Sequence, residues 1–288
     1  MILKTNVKLN FGLFVLRRRP DGFHDLETLF VPWHGYGDTL EIIAGDDYSR
    51  TSASLAARYG TDSGDGPGAP LRQAVSEDGR LMVTVARREG VDWEPLSDLS
   101  ARACRLLQQN FDLPPVKLFL EKTAPVGAGL GGGSADAAFT LMALTDMFKL
   151  PLEDWQLADY AACLGSDCSF FIYNRPMIGE GRGDVLSEYE LDLSGYEIRV
   201  EVPEGVRVST SEAYSRVIPR DRLALPPLRE SLRYPVEMWP DVLFNDFESS
   251  VFPLHPEVRA LKERFYAEGA AYASMSGSGS AVFGLFKK

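Results

Sequence analysis

The chain has 288 residues, 45% of them apolar, enough to bury a substantial core as one large domain or two ordinary ones. Its 30 basic and 41 acidic residues leave a net charge of −11, which speaks against a nucleic-acid binder but not against a nucleotide held locally by backbone amides. Three cysteines without a C-x-x-C pair, three histidines without metal-ligand spacing, no apolar leader and no bilayer-length apolar run exclude a disulfide framework, a zinc site and a membrane span, so a cytoplasmic protein is expected.

Residues 7–15 alternate. Val7, Leu9, Phe11, Leu13 and Val15 share one face of a strand, and Lys8, Asn10 and Gly12 share the other. A turn at Arg19, Pro20, Asp21 and Gly22 leads to strands at 26–31 and 39–43. Residues 44–80 carry no clear period, and the glycine- and proline-rich run 60–70 reads as an exposed loop or linker. A strand at 81–86 leaves it. A helix at 98–110, capped by Asp98 or Ser100, precedes a short strand at 116–120. A second helix runs to about residue 150 and is stopped by Pro151; a third, at 152–164, ends at Gly165; a strand is predicted at 169–173. Beyond residue 179 come a strand at 196–202, a proline-rich connection at 219–240, a helix at 256–268, a glycine–serine loop at 274–280 and a strand at 281–286. This mixture predicts an α+β protein with two lobes, divided as 1–178 and 179–288.

Residues 127–134 hold five glycines in eight positions, directly before a helix rich in alanine and leucine. Glycine costs backbone entropy, so that density calls for a reason. Without Cβ atoms, successive N–H groups can turn toward one anion, and the helix that starts near Ser134 adds a partial positive charge. A triphosphate fits such a cradle, with the Ser134 hydroxyl available to Mg²⁺ or a phosphate oxygen. The P-loop pattern is absent, because no lysine precedes Ser134. A G-x-G-x-x-G match exists at Gly127, Gly129 and Gly132, but the region where its ribose-binding acid belongs is still helix and Pro151. Asp136 reads as a helix-dipole residue, and Lys122, at a strand end, as structural or phosphate-steering.

The segment PVGAGLGGGSADAA resembles the ATP-binding motif of the GHMP kinases, and MSGSGSAVFGLF at 275–286 resembles that superfamily's third motif. The N-terminal VKLNFGLFVLRRRPDGFHDLETLF is similar to the branch that phosphorylates a cytidine-diphosphate-linked methylerythritol in the non-mevalonate isoprenoid pathway. Lys8, Asn10, Asp21, Gly22, His24, Leu26 and Thr28 fit the branch pattern, as do Gly165-Ser166-Asp167 and Asn245-Asp246-Phe247-Glu248. Three departures stand out: Phe23 in place of tyrosine, Cys168-Ser169 after Asp167, and the run 60–70.

The resemblance implies a two-lobed fold with an N-terminal ribosomal-protein-S5-like ATP-binding domain and a C-terminal α/β sandwich. It implies ATP and Mg²⁺, a small cytidine-linked acceptor, and a monomer or homodimer. Asp167 would take the acceptor's hydroxyl proton, and Lys8 would offset charge on the transferring group. ATP would lie against Pro125, Val126, Gly127, Ala128, Gly129, Leu130, Gly131, Gly132, Gly133, Ser134 and Ala135. Asn10, Phe23, His24 and Thr210 would contact the acceptor, with Phe23 and His24 about the cytosine ring. Mevalonate- and homoserine-type kinases, a dinucleotide-dependent oxidoreductase and a silent nucleotide-binding module are the competing readings.

Overall fold

The computed structural model describes residues 1–45, 49–60, 67–219 and 226–288. Two compact units divide the chain. One comprises residues 1–7, 34–126 and 132–173; the other comprises 8–33, 127–131 and 174–288.

The first unit carries a five-stranded sheet in the order Ile2–Lys4, Thr39–Ala44, Val116–Lys122, Leu81–Val91 and Ala69–Val75. Its pairs are antiparallel except Leu81–Val91 against Val116–Lys122. Parallel neighbours need a crossover, and the helix Leu99–Asn110 supplies it. Asp98 caps that helix by accepting from the Ser100 amide. The helices Gly132–Phe148, Asp154–Ala162 and Cys168–Tyr173 complete this unit.

Two expectations are corrected here. Residues 169–173 form a helix, not a strand: Cys168–Ile172 are buried on every side, and so short a run carries no period to tell the two apart. The stretch 44–80 is not featureless, because it holds the helix Ser52–Tyr59 and the strand Ala69–Val75. Leu55 of that helix packs with Ile43, Leu71, Ala86 and Phe119, while Arg58 and Tyr59 both bond Glu121 on the sheet. Residues 61–66 of the expected loop lie outside the described residues.

The second unit contains two sheets. One runs Val7–Arg18, His24–Trp33, Met177–Gly181, Val185–Glu188; the other runs Tyr196–Glu201, Val282–Lys287, Tyr272–Met275. The predicted apolar face of the first strand packs against later elements. Phe11 meets Trp239, Tyr272 and Phe283 at ring distances of 5.9, 6.3 and 4.6 Å. Truncating such a buried ring costs about 3–5 kcal/mol. Leu13 and Val15 join Phe247, Val258, Phe265 and Val282 in the main cluster. The opposite face is not solvated either: Lys8 and Asn10 are 3% and 1% exposed. The proline-rich connection is built from short turns, Leu228–Ser231, Val236–Met238 and Trp239–Val242; residues 220–225 lie outside the described part. Among the described residues no helix is long and apolar enough to cross a membrane.

Candidate active site

The glycine loop takes the shape its composition suggests. Gly127, Gly129 and Gly131 have φ of +73°, +77° and +74°, and the intervening Ala128 and Leu130 are not among the positive-φ residues. Alternation of this kind turns successive N–H groups to one side and makes an anion-binding concavity. The first two of these glycines differ in what surrounds them. A Cβ on Gly127 would meet nothing within 4 Å, whereas one on Gly129 would stand 2.1 Å from the Ser276 carbonyl oxygen. Gly129 is therefore also required by close approach of the glycine–serine turn at 276–280. The Ala281 amide donates to the Ala128 carbonyl at 3.0 Å, and the Ser276 hydroxyl donates to that of Gly129 at 3.2 Å.

Lys8 reaches this loop. Its ammonium donates to the Gly129 carbonyl at 2.9 Å and to Asn10 Oδ1 at 2.5 Å, and its own amide donates to the Leu130 carbonyl at 2.9 Å. The Asn10 amide nitrogen donates in turn to Thr28 Oγ1 at 3.0 Å, and that hydroxyl donates to the Gly12 carbonyl. Both ends of the Asn10 amide are thus engaged inside the protein, one of them by Lys8.

The segment 245–248 locks the strand Val7–Arg18 to the same turn. Asn245 Nδ2 donates to the carbonyls of Met275 and Gly277 at 2.7 and 2.8 Å. Asp246 accepts from the Val15 amide at 2.9 Å. Glu248 accepts from the Met275 amide and from Lys262. The resemblance marked these residues without a role; the geometry makes them the frame behind Lys8 and the loop.

The expected acceptor residues share the second unit. Phe23 follows the turn closed by Gly22 and is 53% exposed, with the Arg182 guanidinium 5.2 Å from its ring centre. His24 stacks on Tyr214 at 4.8 Å, and Tyr214 meets Phe247 edge-on. Burial, and then the charge of Arg18, hold the His24 imidazole below its ordinary pKa. Ser209 is used as the N-cap of the helix Thr210–Ser215, while the exposed Thr210 hydroxyl lies 3.5 Å from Ser278 Oγ. Tyr214 and Arg182 were missed at the sequence level. Only the aromatic in SEAY hinted at the first, and nothing hinted at the second.

In the first unit, Gly132, Gly133 and Ser134 open a 17-residue helix, and Ala135 is fully buried. Asp167 sits half-buried in the turn before Cys168, where a Cβ on Gly165 would press the Cys168 sulfur at 3.3 Å. Burial pushes the Cys168 thiol up to about 12; the Ser134 hydroxyl opposes the rise, and the Asp167 charge adds to it. Cys168 is also a position where this chain departs from the family pattern. Asp136, expected as a helix-dipole residue, also has a charged partner. It is fully buried and paired with Lys122, which also pairs with Asp38, each at 2.5 Å. Burial raises the Asp136 carboxyl well above the carboxylate range; the Lys122 ammonium opposes this and Asp38 reinforces it.

The comparisons with known proteins agree with this geometry. Residues 98–175 match the family described as GHMP kinases N terminal domain, and residues 236–288 match GHMP kinases C terminal. These matches define a small-molecule kinase with the GHMP fold. A 4-diphosphocytidyl-2-C-methyl-D-erythritol kinase from Bacteroides fragilis is 42% identical over 288 residues, covering 99% of this chain and 92% of its own. The enzyme of that name from Azobacteroides pseudotrichonymphae is 39% identical over 292 residues, covering 100% and 94%. A solved 4-(cytidine 5'-diphospho)-2C-methyl-D-erythritol kinase superposes with a TM-score of 0.69 at 30% identity, covering 99% of this chain and 90% of that one. The chain belongs to the 4-diphosphocytidyl-2-C-methyl-D-erythritol kinase family.

Proposed function

We propose that this chain transfers the γ-phosphoryl group of ATP to the 2-hydroxyl of 4-diphosphocytidyl-2-C-methyl-D-erythritol, giving the 2-phosphate and ADP. The observation that carries the reading is the alternating-φ loop at Gly127, Gly129 and Gly131 with the Lys8 ammonium bonded to its middle residue. A run of convergent amides beside a cation suits a polyphosphate, and phosphoryl transfer is mainly positioning and charge neutralisation. ATP lies along residues 125–135, and Ser134 contributes its hydroxyl.

Among the described residues no group of three or more His, Cys, Asp or Glu could hold a metal by itself. Mg²⁺ takes few protein oxygens and is shared with substrate phosphates, so a hydroxyl beside the phosphates is the kind of contact it would use. The Ser134 hydroxyl would hold the ion, which would supply charge neutralisation on the phosphates.

Asp167 accepts the proton of the 2-hydroxyl as the new O–P bond forms and the bond to ADP breaks. A carboxylate is a weak base toward an alcohol, so proton loss comes late and orientation is the larger contribution. Asn10 aims Lys8 at the transferring group. Phe23 and His24 hold the cytosine, and Thr210 lines the acceptor side. The free thiols and the acidic surface support a cytoplasmic enzyme acting on small molecules. The test is a coupled assay of ADP release with the cytidine-linked methylerythritol, mevalonate, homoserine and galactose. Turnover is expected with the first alone; comparable turnover with another acceptor, or none with the first, removes the assignment.

A further inference from the structure

We propose that the buried triad Asp38–Lys122–Asp136 is the positioning device of the nucleotide loop, fixing the span between the strand that delivers the loop and the helix that receives it. This rests on reading residues 125–135 as the ATP-phosphate site. Lys122 is the last residue of the strand Val116–Lys122, and Asp136 lies in the second turn of the helix Gly132–Phe148. The Lys122 ammonium stands 2.5 Å from Asp38 Oδ2 and 2.5 Å from Asp136 Oδ2. Asp38 uses its other oxygen on the loop itself, accepting from the amides of Thr123 at 2.6 Å and Ala124 at 2.8 Å. The Thr5 hydroxyl closes the figure, donating to Asp136 Oδ1 at 3.1 Å and accepting from the Asp38 amide at 2.9 Å. A Cβ on Gly132 would lie 3.5 Å from the Ala124 side chain and 3.7 Å from Asp38 Oδ2, so the two ends of the loop are held nearly in contact.

Stability alone is a poor reason for this arrangement. Burying ions costs several kcal/mol each, and apolar replacements of buried ion clusters are often neutral or stabilising. Directional bonds are what an apolar cluster lacks, and those of Asp38 end on the two residues that precede Pro125. A loop whose ends are fixed presents its amides at one spacing. The result is preorganisation of the phosphate cradle without any contact between the triad and the nucleotide.

The experiment uses the full chain with Asp38→Ala, Asp38→Asn and Asp136→Asn. It measures calorimetric binding of ATP, KM for each substrate and Tm. Asp38→Ala is expected to weaken ATP binding about 10²-fold while the acceptor KM moves by less than about twofold. Asp38→Asn keeps an oxygen for the two amides and is expected to recover roughly tenfold of that loss. Should Asp38→Ala fail to fold, Asp136→Asn decides, with about a tenfold weaker ATP affinity expected at an unchanged acceptor KM. Folded variants that bind ATP like the wild type, or ATP and acceptor constants that worsen together in step with Tm, overturn the proposal. A wild-type chain that binds no ATP would instead remove the reading of the loop on which it rests.

Discussion

Lys122 and Lys8 both project from strands as buried ammonium groups, 6% and 3% exposed, but different parts of the chain hold them. Lys122 pairs with two carboxylates of its own unit, and although burial works against its charge, Asp136 and Asp38 outweigh that and raise its pKa. Lys8 donates to an amide oxygen and a main-chain carbonyl. The first lysine is tied into the fold of its own unit, and the second stands beside the glycine loop, where the proposed chemistry calls for a cation.

Substitution of the proposed base should have the largest effect. Asp167→Asn is expected to lower turnover about 10²–10⁴-fold with ATP binding largely intact, read by single-turnover kinetics and calorimetry. Near-normal turnover would return Asp167 to the role of a turn residue. The lysines come next. Lys8→Met should lower kcat by about 10²–10³-fold with little change in the denaturation midpoint. Lys122→Met should cost roughly 3–5 kcal/mol in chemical denaturation, because it leaves two buried carboxylates without their cation. If the two phenotypes exchange, the division between fold and chemistry is misdrawn.

What could be read beforehand follows from where periodic signals exist. The strand at 7–15 was legible because its apolar face alternates, and the glycine loop because its composition is costly unless used. The helix Ser52–Tyr59 was not, since it buries a single residue, Leu55, and is anchored by Arg58 and Tyr59 reaching Glu121 far along the chain. Cys168–Tyr173 was misread because burial on all sides erases the period. The triad was invisible because Asp38 meets Ala124 across 86 residues, and no local pattern encodes that pairing.

The smallest expected effect concerns pH. Burial and Arg18 keep the His24 imidazole neutral to lower pH than an ordinary histidine, so a ring nitrogen stays available to accept from the cytosine amine. The acceptor KM should therefore stay flat down to about pH 6.5 and rise only below it, in step with protonation. His24→Ala should raise the acceptor KM at neutral pH, leave the ATP KM in place and abolish the acid-side rise. A parallel change in both constants would detach His24 from the cytosine.

The seat of Gly129 on the Ser276 carbonyl joins residues 147 apart in sequence. Contacts of such separation form late in folding, after shorter loops have closed. The glycine motif is therefore not a transferable cassette: a fragment cut before residue 270 would keep every residue of the cradle yet lose the backbone that seats its middle. Partly folded chains cannot sequester nucleotide, and ATP should stabilise only the completed protein by mass action.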